Sequence, residues 1–195
     1  MPTVTALHER RDGRVVIDVD GAAWRVVPSD VVVRTGVRVG VALERSVLRE
    51  LARALRQADA LDVAGRALRA RDRSQVELET RLAERGISAR DRTAALAVLL
   101  RAGLVDDDRV ARSRAGALAD RGHGDAAIAA DLEGRGISPE AVSEVLESLP
   151  PECDRAAAIV ARRGNGAKTA RYLAARGFGE DAVEAAAGAD FAPDP

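Results

Sequence analysis

Arginine is the residue with the most chemistry to offer in this sequence. Arg69, Arg71 and Arg73 alternate along a short stretch, and Arg81 and Arg85 follow, four apart, on one helical face. A guanidinium binds phosphate or carboxylate in bidentate fashion. Arg71, Arg73, Arg81 and Arg85 are therefore the first candidates for contact with an anionic partner. The competing reading is a solvated surface, since arginine near a helix C-terminus also offsets the helix dipole. A second series, Arg109, Arg112, Arg114 and Arg121, lies along one predicted helix, and Arg112 and Arg121 are secondary candidates. Lys168, the only lysine, adds charge to a later face together with Arg171.

Other reactive residues do not assemble into a catalytic set. Asp106, Asp107 and Asp108 open a helix, where acids offset the dipole, and no further ligand cluster accompanies them to hold a divalent ion. "RRGNGAKT", Arg162 to Thr169, suggests a phosphate loop, but Arg162 and Ala167 stand where that pattern needs glycine, and helical sequence precedes it. Gly164-Asn165-Gly166 reads instead as a turn between helices. His8 and His123 have no evident nucleophile to serve, and Cys153, at a helix start, has no partner base. A single cysteine excludes an internal disulfide and a zinc cluster. No enzyme activity, cofactor or metal is expected.

Composition bounds the elements that must position the arginines. The chain has 195 residues and is almost free of aromatics, with Trp24, Tyr172, Phe178 and Phe191 the whole set. Net charge is −1, unevenly spread. Residues 1–57 carry 10 basic and 7 acidic side chains, 58–105 carry 9 and 7, 106–148 carry 5 and 10, and the remainder 6 and 7. The start has no apolar signal core and no apolar run is long enough to span a bilayer, so a cytoplasmic protein with no membrane partner is expected.

Residues 14–27, "RVVIDVDGAAWRVV", predict a hairpin around Asp20-Gly21, with Val15, Ile17 and Val19 on one side and Trp24 and Val26 sharing a face of the second strand. Trp24 is expected to anchor the hairpin onto a helix, with base stacking the alternative. Ser29 to Gly36 predicts a short helix capped by Ser29. From Glu44 the period is helical: a helix at about 44–56 burying Val47, Leu48, Leu51 and Leu55, then a second at about 59–71.

One phrase then recurs: "LAERGIS" at 82–88, "LEGRGIS" at 132–138 and "LAARGFG" at 173–179. It reads as punctuation. Glycine stops a helix by taking the left-handed conformation, Ile87, Ile137 or Phe178 folds back on the apolar face, and Ser88 or Ser138 caps the next helix. Ser74 and Glu77 form a capping box ahead of the first copy, and Pro139 suits the first helical position. Each phrase joins the second and third helices of a three-helix group. The first helices are expected at about 59–71, 107–121 and 153–163, the second at 74–85, 125–135 and 167–176, and the third at 89–102, 139–148 and 180–187. The expected fold is mainly α: tandem three-helix repeats in an elongated array after a small β-hairpin element. The boundaries are 1–57 for that element, 58–105, 106–149 and 150–188 for the repeats, and 189–195 for a frayed tail.

These residues resemble the RecX family of RecA regulators over nearly the whole chain. "ALRARDRSQVELETRLAERGIS" is similar to the family's first-repeat signature. "LLRAGLVDDDRVARS" is similar to its most specific phrase, here Gly103, Leu104, Val105, Asp106, Asp107, Arg109 and Ala111. "AARGFGEDAVEAA" resembles the third repeat, and the leader "RVVIDVDGAAWRV" with "RTGVRVGVAL" resembles the β-containing start of many members. The resemblance implies a non-enzymatic monomer that binds the RecA–DNA filament and restrains recombinase and co-protease activity, with single- or double-stranded DNA a weak secondary partner. Family members are commonly basic, whereas the second repeat here is acidic. The rival expectation is an acidic helical-repeat adaptor for some other protein, with no nucleoprotein partner. A continuous basic stripe favours the first reading, and scattered Arg–Asp pairs favour the second.

Overall fold

The structure, a computed structural model, describes residues 1–187. The Asp20-Gly21 turn forms with φ of 49° and 85°, joining β2 (Arg14–Val19) to β3 (Ala22–Pro28). A strand the sequence did not announce, β1 (Val4–Glu9), pairs antiparallel with β2 and gives the sheet order β1-β2-β3. Val15 and Ile17 face a core shared with Val4, Val27, Val37 and Leu43. Trp24 is not the anchor. The pairing slips between Ile17 and Asp18, which leaves Trp24 as the extra residue of a bulge. It is 41 % exposed, and Val27 takes the core position.

After the sheet come α1 (Ser29–Thr35) and α2 (Arg45–Ala70). Pro28, not Ser29, occupies the N-cap of α1, without a side-chain cap bond. The two helices expected at 44–56 and 59–71 are one helix of 26 residues. Nothing at Gln57-Ala58-Asp59 breaks it, since neither glycine nor proline intervenes, and Ala60, Ala64 and Ala67 continue the buried stripe of Leu51 and Ala54. The expected divide at 57/58 therefore falls inside α2. Leu48 lies outside that stripe and is exposed, while Val47 and Leu55 are half-buried.

The remaining helices are α3 (Gln75–Glu84), α4 (Ala89–Arg101), α5 (Asp107–Asp120), α6 (Asp125–Glu133), α7 (Pro139–Ser148), α8 (Glu152–Arg163), α9 (Ala167–Ala175) and α10 (Glu180–Ala187). All match the expected positions within two residues. Expected tail residues 189–195 lie outside the described residues. The chain divides into two compact units, Met1–Arg71 with Leu78–Ala102, and Asp72–Glu77 with everything from Gly103 on. In the first, the sheet packs its inner face on one core and α2 packs against α1 and α4. In the second, α5–α7 enclose Ala111, Ala115, Ile128, Leu132, Ile137 and Val142, and α8–α10 enclose Ala156, Ile159, Leu173, Phe178 and Ala186.

Candidate partner-binding surface

The repeated phrase behaves as its residues require. Gly86, Gly136 and Gly177 have φ of 74°, 76° or 77°, and the amides of Ile87, Ile137 and Phe178 donate back to Leu82, Leu132 and Leu173 at 3.2 Å each. Ile137 and Phe178 are buried, 3 % and 6 % exposed. Ser88 accepts from the Asp91 amide and Ser138 from the Ala141 amide, both at 3.3 Å. In the capping box, the Glu77 amide donates to Ser74 Oγ at 3.1 Å and the Ser74 amide to Glu77 Oε2 at 3.3 Å.

Within the second unit the same turns also serve as docking points. Ser74 Oγ donates to the Arg135 carbonyl at 2.6 Å, so the N-terminus of α3 meets the C-terminal turn of α6. The N-terminus of α6 meets the C-terminal turn of α9 in the same way: the Gly124 amide donates to Arg176 O at 2.9 Å and the Ala126 amide to Gly177 O at 3.1 Å. At both places free helix amides or their cap face the free carbonyls of another helix end, which satisfies both sets and aligns the dipoles favourably.

The chemistry of the two contacts differs. The first is ionic. Asp131 accepts from Arg114 Nε and Nη2 at 2.9 and 2.7 Å and from Arg135 Nε at 2.7 Å, and Arg135 Nη1 reaches Glu77 Oε1 at 2.7 Å. The Arg114 hydrogen bonds, aided by Arg135 and opposed by burial, hold the Asp131 carboxyl well below the usual carboxylate range. The second contact runs through the backbone. A Cβ at Gly124 would fall on the main chain of Gly177 and Phe178. Glu152 braces it, accepting from the Asp125 amide at 2.6 Å and the Gly179 amide at 3.0 Å. The Arg155 side chain, 10 % exposed, donates to His123 O at 2.8 Å and pairs with Asp125. Burial, then Arg176, Arg114 and Arg121, push the His123 imidazole below its ordinary value.

The sequence-selected arginines scatter. Arg71, Arg81 and Arg85 lie in the first unit and Arg73 in the second. Arg81 donates to Glu84 at 2.9 Å, and Arg85 is exposed in the turn after α3. Arg112 and Arg121 are exposed on and just after α5, and Lys168 is exposed in the first turn of α9. Asp106 caps α5 by accepting from the Arg109 amide at 2.9 Å, and Asp107 accepts from the Gln75 amide at 2.8 Å. Asp106 and Asp107 thus have structural work. No group of three His, Cys, Asp or Glu side chains that could hold a metal ion occurs among the described residues. Cys153 is exposed. No helix among the described residues is long and apolar enough to cross a membrane.

Sequence reasoning picked out Lys168 and Arg171 but missed that Arg163 and Arg176 join them in a cationic group around Tyr172. Tyr172 lies under two guanidiniums, with Arg163 at 4.0 Å and Arg176 at 5.2 Å from the ring centroid. The signal was present in the sequence but averaged away. Residues 155–179 hold six cations and no carboxylate, while the acids of this third group sit at 152, 154, 180, 181 and 184.

The sequence model of RecX, second three-helix domain, matches residues 106–146, the span of α5 to α7. Regulatory protein RecX of Chromohalobacter salexigens is 37 % identical over 126 residues, covering 60 % of this chain and 83 % of that protein. The chain belongs to the RecX family. Regulatory protein RecX of Halorhodospira halophila is 33 % identical over 138 residues, 66 % of this chain and 86 % of that protein. Among solved structures, a regulatory protein RecX superposes with a TM-score of 0.81 over 94 % of this chain and 98 % of its own, at 20 % identity. RecX from Lactobacillus salivarius gives 0.59 over 67 % and 93 %, at 17 % identity. At those identities the likeness is one of fold: the mainly helical RecX architecture behind a small N-terminal sheet.

Proposed function

We propose that this protein is a non-enzymatic regulator that binds the RecA–DNA nucleoprotein filament, in the cytoplasm and as a monomer, and restrains recombinase and co-protease activity. The observation that carries this reading is the 37 % identity over 83 % of a protein named regulatory protein RecX. A ligand shifts an equilibrium only through its differential affinity for the states involved. Inhibition therefore requires the protein to bind an inactive or disassembling filament more tightly than the active one. Arg71, Arg73, Arg81 and Arg85 are proposed as contacts, with Arg112, Arg121 and Lys168 secondary. The test is co-sedimentation with RecA assembled on single-stranded DNA, set against bare DNA and RecA alone, followed by strand-exchange and co-protease assays. Preferential pelleting with filaments and reduced activity support the proposal. Equal behaviour in all three mixtures refutes it.

One observation favours the adaptor reading. The second-group arginines Arg109, Arg114 and Arg135 are paired with acids, Asp106, Asp131 and Glu77 among them, the Arg–acid pairing that this reading expects. If the protein ignores filaments in the same assay, this reading replaces the first.

A further inference from the structure

Residues 155–179 form the longest stretch of the sequence without a carboxylate, and they contain Arg155, Arg162, Arg163, Lys168, Arg171 and Arg176. Arg155 is committed to Asp125 and the His123 carbonyl. The others have a different fate: none of them is ion-paired with a carboxylate among the described residues, and Arg162, Arg163, Lys168 and Arg171 are exposed. Spacings of three and four put Lys168, Arg171 and Tyr172 on one face of α9, and Arg176 follows four residues after Tyr172. Arg163 and Lys168 also border one open hollow of about 480 Å³, with Asn165, Gly166 and Thr169.

Tyr172 sets this group apart from loose surface charge. Its ring holds Arg163 and Arg176 by cation–π contact. Arg176 Nη1 is steadied further by the Arg121 carbonyl at 3.3 Å and His123 Nε2 at 3.2 Å. A guanidinium lying on an aromatic face keeps its N–H edge available, and a side chain already fixed loses less entropy on binding. Burial first, and then Arg176, Arg114 and Arg121, push His123 below its ordinary value, so the field of these cations adds to an effect that begins with burial.

We infer that the third three-helix group carries a phosphate-binding surface, formed by Arg163, Lys168, Arg171 and Arg176 around Tyr172, that contacts the backbone of single-stranded nucleic acid. Several exposed cations on one stretch of chain without carboxylates suit a polymer that presents phosphates at regular intervals. The choice of nucleic acid over an acidic protein surface rests on the filament reading. The surface shares Lys168 with the contacts proposed above and is otherwise separate from the first-group arginines.

The experiment measures binding of a labelled oligothymidylate to the full chain at about 50 and about 200 mM salt. Compared with the parent are Arg163→Gln/Lys168→Gln/Arg171→Gln and a control at exposed arginines of α2, Arg49→Gln/Arg53→Gln, with circular dichroism melts verifying the fold. The triple variant should bind roughly tenfold or more weakly at the lower salt, with its salt slope flattened by about 2, since each single-strand phosphate contact contributes about 0.7. The control should follow the parent. Tyr172→Leu should weaken binding at an unchanged slope through loss of the platform, and Tyr172→Phe, which keeps the ring, should not. A triple variant that binds like the parent overturns the inference. So does a parent that ignores the oligonucleotide yet pellets with RecA filaments, which would assign the surface to an acidic protein face and leave the filament reading standing. Binding to DNA without binding to filaments supports this surface and removes the filament reading.

Discussion

The two helix-end contacts of the second unit solve one problem with opposite materials. Where α3 begins against the Arg135-Gly136 turn, side chains make the joint: a serine hydroxyl, two carboxylates and two guanidiniums. Where α6 begins against the Arg176-Gly177 turn, the backbone makes it, closing to a distance at which only glycine fits. A side-chain joint can give when a rotamer moves. A main-chain joint cannot, because its hydrogen bonds and its packing are the same atoms.

The largest effect that tests this contrast should come from Gly124→Ala. Its φ of −82° suits any residue, so the cost is steric: the new methyl falls on the Gly177–Phe178 backbone. We expect about 3 kcal/mol, the top of the usual overpacking range, from denaturant melts. Gly136→Ala should cost less, about 2 kcal/mol: the left-handed φ of 77° is penalised, and the new Cβ meets an exposed side chain, Val76, at 2.5 Å from Cγ2 and 2.6 Å from Cβ, of which rotation relieves only the Cγ contacts. Gly136→Ala/Val76→Ala should recover only the part of the steric cost due to the Val76 Cγ atoms. If the two glycine variants melt alike, the distinction between hard and soft joints fails.

Asp131→Ala comes next. It leaves Arg114 and Arg135 without their shared carboxylate in a site about a quarter to a third exposed, and we expect about 1–2 kcal/mol after allowing for solvent screening. Its pH dependence has a definite sign. The folded carboxyl titrates below its unfolded value, so the contribution is complete above about pH 4 and is lost as pH falls through the folded value. Acid melts of parent and variant should converge, and curves that keep a constant offset would show that the Asp131 charge itself contributes nothing. Gly86→Val should cost about 1 kcal/mol, since φ is 74° and no atom lies near the added Cβ. The smallest effect belongs to the other joint. His123 is held below its ordinary value by burial first and then by Arg176, Arg114 and Arg121, with Asp131 opposing. Stability linked to it is complete above about pH 6.5 and declines as pH falls. A proton-NMR titration placing His123 at or above the free value would contradict the cationic surroundings assigned to it.

Local chemistry made most of the helical half legible. The stop-latch-cap phrase acts within seven residues, so Gly86, Ile87 and Ser88 could be assigned without knowing what they pack against, as could the Ser74–Glu77 box. The misreadings lie where a distant segment decided. Trp24 looked like a core residue, but a bulge in its pairing with β2 turned it outward. The strand Val4–Glu9 has too short and mixed a pattern to declare itself until β2 offers it hydrogen-bonding partners. The site residues show the same division. Counting arginines by sequence window favoured Arg71, Arg73, Arg81 and Arg85, and the average over the last window concealed the acid-free stretch around Tyr172.

By itself the sequence determined the helix ends, the threefold recurrence and the family, because capping, left-handed glycine and hydrophobic period are short-range properties of the chain. Tertiary structure decided which arginines are engaged. Arg114, Arg135 and Arg155 are ordinary arginines in the sequence, and only folding brings Asp131, Glu77 and Asp125 to them. Arg163 and Arg176, thirteen positions apart (176 − 163), meet over one ring because the turn at Gly164–Gly166 folds α9 back against α8. Charge is written in the sequence, but whether a charge is neutralised inside the protein or presented to a partner depends on distances that only the fold sets.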